Sequence, residues 1–129
     1  MCNKCGVNEK HGRSGMCKSC KNEYNRQHYA DNKRYYIDKA MEREQARKQR
    51  LRDLKEKTPC MDCGVNYPSY VMDFDHRENK EFDISLSHRV SEARLEAEIA
   101  KCDIVCSNCH RIRTHDRLLI RKEELAHGN

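Results

Sequence analysis

Apolar positions in this chain fall in short runs of two different periods, separated by long polar stretches. From Lys18 to about Ala30 there is no Gly or Pro, and Tyr24, His28 and Tyr29 recur at helical spacing, so a helix is expected. Asp31-Asn32 offers a cap or a break, after which Lys33 to Lys57 is expected to run as a second helix until Thr58-Pro59 stops it. Tyr36, Ile37, Ala40 and Met41 make an apolar stripe there, but Glu42 to Arg50 is polar apart from Ala46. A helix that is polar all round bridges solvent or lies on something charged. At about 1.5 Å per residue it would extend about 37 Å, roughly one turn of duplex DNA.

The second half changes period. Tyr70-Val71-Met72, interrupted by Asp73 and resumed by Phe74, reads as a strand with Asp75 and His76 at its tip. With Tyr67-Pro68 as a kink, Asn66 to Phe74 is expected to form a short hairpin ending at Asp75. Arg77 to Lys80 then forms a loop, and Phe82-Asp83-Ile84-Ser85-Leu86 returns as a second alternating strand or extended segment. Ser91 caps an expected helix over Glu92 to Lys101, with Ala93, Leu95, Ala97, Ile99 and Ala100 as its apolar residues. Ile104-Val105 leads into a final helix whose Ile112, Leu118, Leu119 and Ile120 are expected to supply apolar cover, with a frayed end from His127 to Asn129. The fold class expected from this order is a small α+β protein.

Composition changes the picture because so little of the chain is apolar. At 129 residues it makes one domain or two very small ones, with 36% apolar and 36% charged residues, against about 45–50% apolar in ordinary globular chains. A conventional core is scarce, and small units of this kind are commonly held by disulfides or structural metals. Eight of the nine cysteines fall into four Cys-x2-Cys pairs: Cys2/Cys5, Cys17/Cys20, Cys60/Cys63 and Cys106/Cys109. That spacing suits tetrahedral thiolate sites for two structural Zn²⁺ ions. Met1 leads directly into the first pair with no signal peptide, so a reducing, cytoplasmic location is expected. No apolar run approaches the roughly 18 residues of a membrane span, so no membrane partner is expected. Cys102, the unpaired ninth, reads as a small buried hydrophobe.

The formal charge is +5, and Lys21 to Lys57 carries all of that excess, with 12 Lys or Arg against 7 Asp or Glu. The asymmetry suits a polyanion partner, with Arg43, Arg47, Lys48 and Arg50 as candidate contacts. The chain therefore divides into a four-cysteine zinc knuckle at residues 1–20, a basic helical segment at 21–57 and a second zinc-stabilised domain at 58–129.

In that last domain Asp75-His76, followed by Cys106-Ser107-Asn108-Cys109-His110-Arg111, resembles the HNH endonuclease family, in the form with a four-cysteine zinc site braided around a ββα-metal hairpin and helix. The resemblance covers roughly Thr58 to Leu119. The N-terminal half is similar to the zinc-knuckle-plus-basic-helix extension of some phage HNH proteins. It implies a metal-dependent DNA endonuclease in which His76 is the general base, while Asp75 and His110 ligate one divalent ion, Mg²⁺, Mn²⁺ or Ni²⁺. Cys60, Cys63, Cys106 and Cys109 would hold the structural zinc, with a second zinc on Cys2, Cys5, Cys17 and Cys20. Arg77, Lys80, Arg111 and Arg113 lie beside the site and could bind flanking phosphates. His115, five residues beyond His110, would stand behind the ligands or face DNA. The family's middle Asn is missing: the region before the second knuckle is Ile99-Ala100-Lys101-Cys102-Asp103, which leaves the steadying of the base to backbone or to Asp103. A catalytically inactive zinc-stabilised DNA-binding module, or a protein-interaction zinc module, stays open beside the nuclease. Packaging, recombination and homing are equally compatible roles.

Overall fold

In the computed structural model, which describes residues 1–128, the chain forms two compact units, Met1–Gln45 and Ala46–Asn129. The helices are α1 (Lys18–Asp31), α2 (Lys33–Lys57), α3 (Glu92–Ala100) and α4 (Ser107–His127); the strands are β1 (Met72–His76) and β2 (Cys102–Cys106). Short 3-10 turns occupy Gly12–Ser14, Ser69–Val71 and Ile84–Arg89. The first two helices follow the expected boundaries, with Asn32 as the break between them. Ser91 caps α3, its Oγ accepting from the Arg94 N–H at 3.3 Å. No helix among the described residues is long and apolar enough to cross a membrane.

Both units are built on the same local device. In each, a Cys-x2-Cys pair is followed by a glycine with positive φ, Gly6 (69°) and Gly64 (73°), whose N–H returns to the carbonyl of the first cysteine. A residue with a Cβ is strained in that conformation. The second pair of each unit opens a helix: Cys17 is the N-cap of α1 and Cys106 of α4, and each Sγ accepts the N–H three residues on, at 3.5 Å. Free N–H groups at a helix start favour thiolate over thiol.

The first unit has almost no other interior. Cys2 and Cys17 are its buried residues, and α1 buries none. Tyr29 and Tyr36 stack at 5.6 Å but stay 50% and 39% exposed, so the apolar stripe is only partly covered. The second unit has a small true core of Cys60, Met72, Ile104, Val105 and Cys106, with Leu54, Tyr67, Val71, Phe74 and Cys109 packed around it. Leu54 belongs to α2, so the last turns of that helix fold with the C-terminal unit.

The strand pairing departs from expectation. β1 pairs antiparallel with β2, in the register Met72↔Cys106, Phe74↔Ile104, Asp75↔Asp103 and His76↔Cys102, and not with Phe82–Leu86. In that segment the buried residues are Ile84 and Ser87, three apart, while Leu86 is 67% exposed; the spacing is that of a 3-10 turn, not a strand. Ile104 and Val105 offer the buried ladder that Asp83 and Ser85 do not. The expected hairpin over Asn66 to Phe74 is likewise reduced to a 3-10 turn leading into β1. Ile112, Leu118, Leu119 and Ile120 give no core cover, being 45–59% exposed on α4. The helix extends to His127, with Gly128 following it; Asn129 lies outside the described residues.

Met72 is 1% exposed and sits opposite Cys106, so it packs directly behind the cysteine cluster. Met72→Ala should destabilise the C-terminal unit by about 2–5 kcal/mol, as other large-to-small core changes do. Denaturant unfolding of the zinc-loaded protein reads this, and a loss below about 1 kcal/mol would mean that the core contributes little beyond the cysteines.

Candidate functional site

The two cysteine groups of the sequence come together in space. Within Cys2, Cys5, Cys17 and Cys20, and again within Cys60, Cys63, Cys106 and Cys109, the Sγ atoms lie within 4.8 Å of one another. Every cysteine is free, so neither group is a disulfide pair. Four thiols this close divide their acidity unevenly. In the first group, backbone N–H groups of Cys5 and Cys17 bring Cys2 down to about 6, while the hydrogen bond with the Cys17 side chain and burial push Cys20 up to about 12. A divalent soft cation relieves that crowding, and each group could hold one zinc ion. Cys102 joins neither group; burial pushes its thiol up to about 11, in keeping with a quiet packing role.

The second cysteine group fixes what lies beside it. Because β1 alternates, Asp73 and Asp75 face one side and Phe74 and His76 the other, with no bulge to change this. α4 begins immediately after β2, so His110, Arg113 and Arg117, spaced three and four apart, present one helix face to the aspartates. His110 spans two carboxylates: Nδ1 is 3.0 Å from Asp73 Oδ2 and Nε2 is 3.5 Å from Asp75 Oδ1. Asp75 is 3% exposed and is gripped by Arg117, which donates from Nη1 at 2.8 Å to Oδ1 and from Nη2 at 2.7 Å to Oδ2. Arg113 adds a 2.9 Å bond to Oδ2. Burial alone would raise the Asp75 carboxyl, but the bonds from Arg117 and Arg113 override it and hold it at about 2.

On the opposite face, His76 meets a carboxylate that sequence reading missed. Its Nε2 lies 2.9 Å from Glu98 Oε1, yet the pair is not aligned as a hydrogen bond. Glu98 is 1% exposed and accepts from the Glu81 N–H at 2.8 Å and from Lys101 Nζ at 2.9 Å. Lys101 is the main cause of its carboxyl falling to about 2, against the opposing effect of burial. The available signal was an acidic residue three positions after Leu95, on the buried face of α3, where the alanines at 93, 97 and 100 turn out exposed. Asp103 does not take this role: it faces Arg113 at 2.9 Å and Arg77 at 3.3 Å. Just beyond His76, the Arg77 N–H donates to the Lys101 carbonyl at 3.0 Å.

A cavity of about 500 Å³ gathers Asp73, Asp75, His76, His110, Arg117 and Lys55 among its lining residues. The sequence-predicted Asp75, His76 and His110 all border this cavity, with Asp73 and Arg117. His76, however, lies on the face of β1 opposite Asp75 and His110, and Glu98, its neighbour there, does not line the cavity. The basic residues are sorted differently from expectation. Arg113 is no free phosphate contact, because its guanidinium is shared among Asp62, Asp75 and Asp103. Arg47 is likewise engaged, donating to the Ser87 and Val90 carbonyls and to Glu92, and it ties α2 to the 3-10 turn. Arg50 pairs with Glu92 and Glu96, Arg77 with Asp103, and Lys80 with Asp83. Arg43, Arg111 and His115 are exposed, and none of the three lines the cavity. Lys48 lines a neighbouring groove.

No protein-family model, no curated protein and no solved structure matches this chain.

Two outcomes test this arrangement. Elemental analysis should find about two zinc ions per chain, and Cys60→Ser or Cys106→Ser should unfold the C-terminal unit while Cys2→Ser leaves it folded, since metal binding and folding are linked. Zinc-free protein with native circular dichroism would refute it. Arg113→Gln leaves three carboxylates without their shared cation; partly exposed, this should cost roughly 2–4 kcal/mol, below the 3–5 of a fully buried pair. Arg111→Gln, on an exposed residue, should stay within about 0.5 kcal/mol of wild type. Equal small effects in both would show that the Arg113 network carries no net stability.

Proposed function

We propose that this protein is a metal-dependent DNA endonuclease of the HNH type, hydrolysing a phosphodiester bond in the cavity lined by Asp75, His76 and His110. The observation that carries the reading is the 3.5 Å separation of Asp75 Oδ1 and His110 Nε2. Two donors each about 2.1 Å from one small hard cation lie about 3–3.5 Å apart, so this pair fits a single divalent ion. Oδ1 accepts one hydrogen bond, from Arg117, and keeps a lone pair for the ion. Asp73 on Nδ1 supports the same reading, because a carboxylate there keeps the proton on Nδ1 and leaves Nε2 free to ligate.

The ion, when bound, supplies positive charge to the phosphate and to the departing 3′ oxygen. The chain's own part is proton transfer and orientation. His76 takes a proton from water as the water oxygen bonds to phosphorus and the bond to the 3′ oxygen breaks. Glu98 beside Nε2 favours the tautomer with its proton on that nitrogen, which leaves Nδ1 as the base. Glu98, just before the stretch Ile99 to Asp103 in which the family's middle Asn is sought, orients the imidazole through charge. Arg117 lies within the cavity and can shift from Asp75 toward the phosphate as charge develops.

One feature favours the second reading, a zinc-stabilised DNA-binding module without activity: Arg117 pairs with both Asp75 oxygens, so its positive charge opposes that of an incoming ion. Plasmid incubated with Mg²⁺ or Mn²⁺ separates the two. His76→Ala should reduce cleavage at least 100-fold, about the value of a lost general base, with DNA affinity and zinc content unchanged. Asp75→Ala and His110→Ala should also stop cleavage, with partial rescue by raised Mn²⁺. Cleavage by His76→Ala near the wild-type rate would reassign the base, and wild-type protein inert with both metals would leave the binding module.

A further inference from the structure

Beside the cavity lies a second depression of about 310 Å³, lined by Lys48, Arg52, Lys55, Tyr70 and Phe74 together with Leu51, Ser69, Ile84 and Ser85. Lys55, Phe74, Ile84 and Ser85 line both, so the two hollows are adjacent. We propose that this groove binds the sugar-phosphate strand of DNA that flanks the phosphate in the cavity, with Lys55 and Arg52 as its phosphate contacts. The inference rests on the nuclease reading for its direction, but its own support is independent.

Within the C-terminal unit many cations are already engaged, and Arg52 and Lys55, like the exposed Arg111, are not. Arg47, Arg50, Arg77, Arg113, Arg117, Lys80 and Lys101 all face carboxylates of the same unit. Such cations are neutralised and offer a polyanion little. Among the described residues, neither Arg52 nor Lys55 forms a hydrogen bond or ion pair, and no carboxylate lines the groove. Arg52 and Lys55 therefore carry positive charge without an ion-pair partner, although Asp73, Asp75, Glu78 and Asp83 line the adjoining cavity.

Lys55 is the more informative of the two. Its ammonium lies over the Phe74 ring, 5.2 Å from the centroid, and the residue is only partly exposed. Burial lowers its pKa, with the negative charge of Asp73 opposing that. A partly desolvated cation with no bonded anion gains more from an incoming phosphate than a fully hydrated surface lysine does. On α2 the positions 48, 52 and 55 follow helical spacing and share one face, spanning about 10 Å, the axial rise of roughly three nucleotides of one strand. Tyr70, 87% exposed at the groove's edge, presents a ring to a sugar or an unpaired base.

The test uses the full zinc-loaded chain and a fluorescein-labelled 20-base-pair duplex, without added divalent ion, followed by anisotropy over a range of KCl. Each phosphate contact adds about 0.9 to the slope of log affinity against log salt. Arg52→Gln and Lys55→Met should each lower the slope by about that amount and weaken binding to all sequences alike, and the double variant by nearly twice as much. Lys55→Arg should keep the wild-type slope. Unchanged affinity and slope in the double variant would overturn the proposal. Should Lys55→Met lose zinc or its melting transition, the exposed Arg52→Gln decides alone by the same criterion. Polyglutamate displacing the duplex at equal charge concentration would overturn it in favour of an acidic protein partner. Wild-type protein that shows the expected slope changes but cuts nothing with Mg²⁺ or Mn²⁺ keeps the groove and removes the nuclease reading. A double variant that cuts with wild-type KM keeps the nuclease and removes the groove.

Discussion

Everything in the C-terminal unit depends on four thiols meeting at one point. Cys60 and Cys63 belong to a turn, Cys106 ends β2 and Cys109 lies in the first turn of α4. Bringing them together closes a loop of more than forty residues and, in the same step, sets the strand register through Met72↔Cys106. A core of five buried residues is too small to bear that loop-closure entropy alone. The Cys106 N–H donating to Cys60 Sγ at 3.2 Å ties the backbone into the same node. α4 then has one possible starting point and direction, and the positions of His110, Arg113 and Arg117 follow.

Around that node the unit carries a dense set of charges that neutralise one another. Arg113 joins Asp62 of the knuckle, Asp75 of β1 and Asp103 of β2, so a single guanidinium spans three elements. The planar fork can do this where a lysine could not. Its fixed geometry holds the carboxylate of Asp75 in place, and with it the side of the cavity where His110 sits. Glu98 plays the matching part on the other face, collecting Lys101, the Glu81 N–H and the edge of His76. Two buried carboxylates, Asp75 on one face of β1 and Glu98 of α3 against the other, thus lie beside the two histidines.

This economy separates the cations by role. Those with structural partners hold the loops, as Arg47 does for the turn at Ile84–Arg89. Arg52 and Lys55, which have no ion-pair partner among the described residues, lie on α2 beside the cavity. The excess charge that the sequence assigns to Lys21–Lys57 as a whole is therefore unevenly usable, because part of it is spent inside the fold.

Local signals carried the parts of this protein that depend on neighbours in the chain. Helix periods, the break at Asp31-Asn32 and the Ser91 cap were readable because each is decided within a turn or two. Grouping the eight cysteines into two fours needed only their spacing, and Asp75, His76 and His110 were legible as chemistry-bearing types beside those knuckles. What failed was the choice among long-range partners. Phe82–Leu86 alternates as well as a strand should, yet β1 pairs with Cys102–Cys106, because closure of the cysteine cluster brings that segment alongside and its Ile104 and Val105 fill the core. Nor does any local pattern show that Glu98 is buried beside His76, that Asp73 backs His110, or that Arg113 and Arg47 are spent on the fold while Arg52 and Lys55 are not. The sequence by itself determined which residues could do chemistry and which elements would carry them. Only the tertiary structure decided which charges meet, since ion pairing between residues tens of positions apart depends on where the chain crosses itself, and no spacing along the chain encodes that crossing.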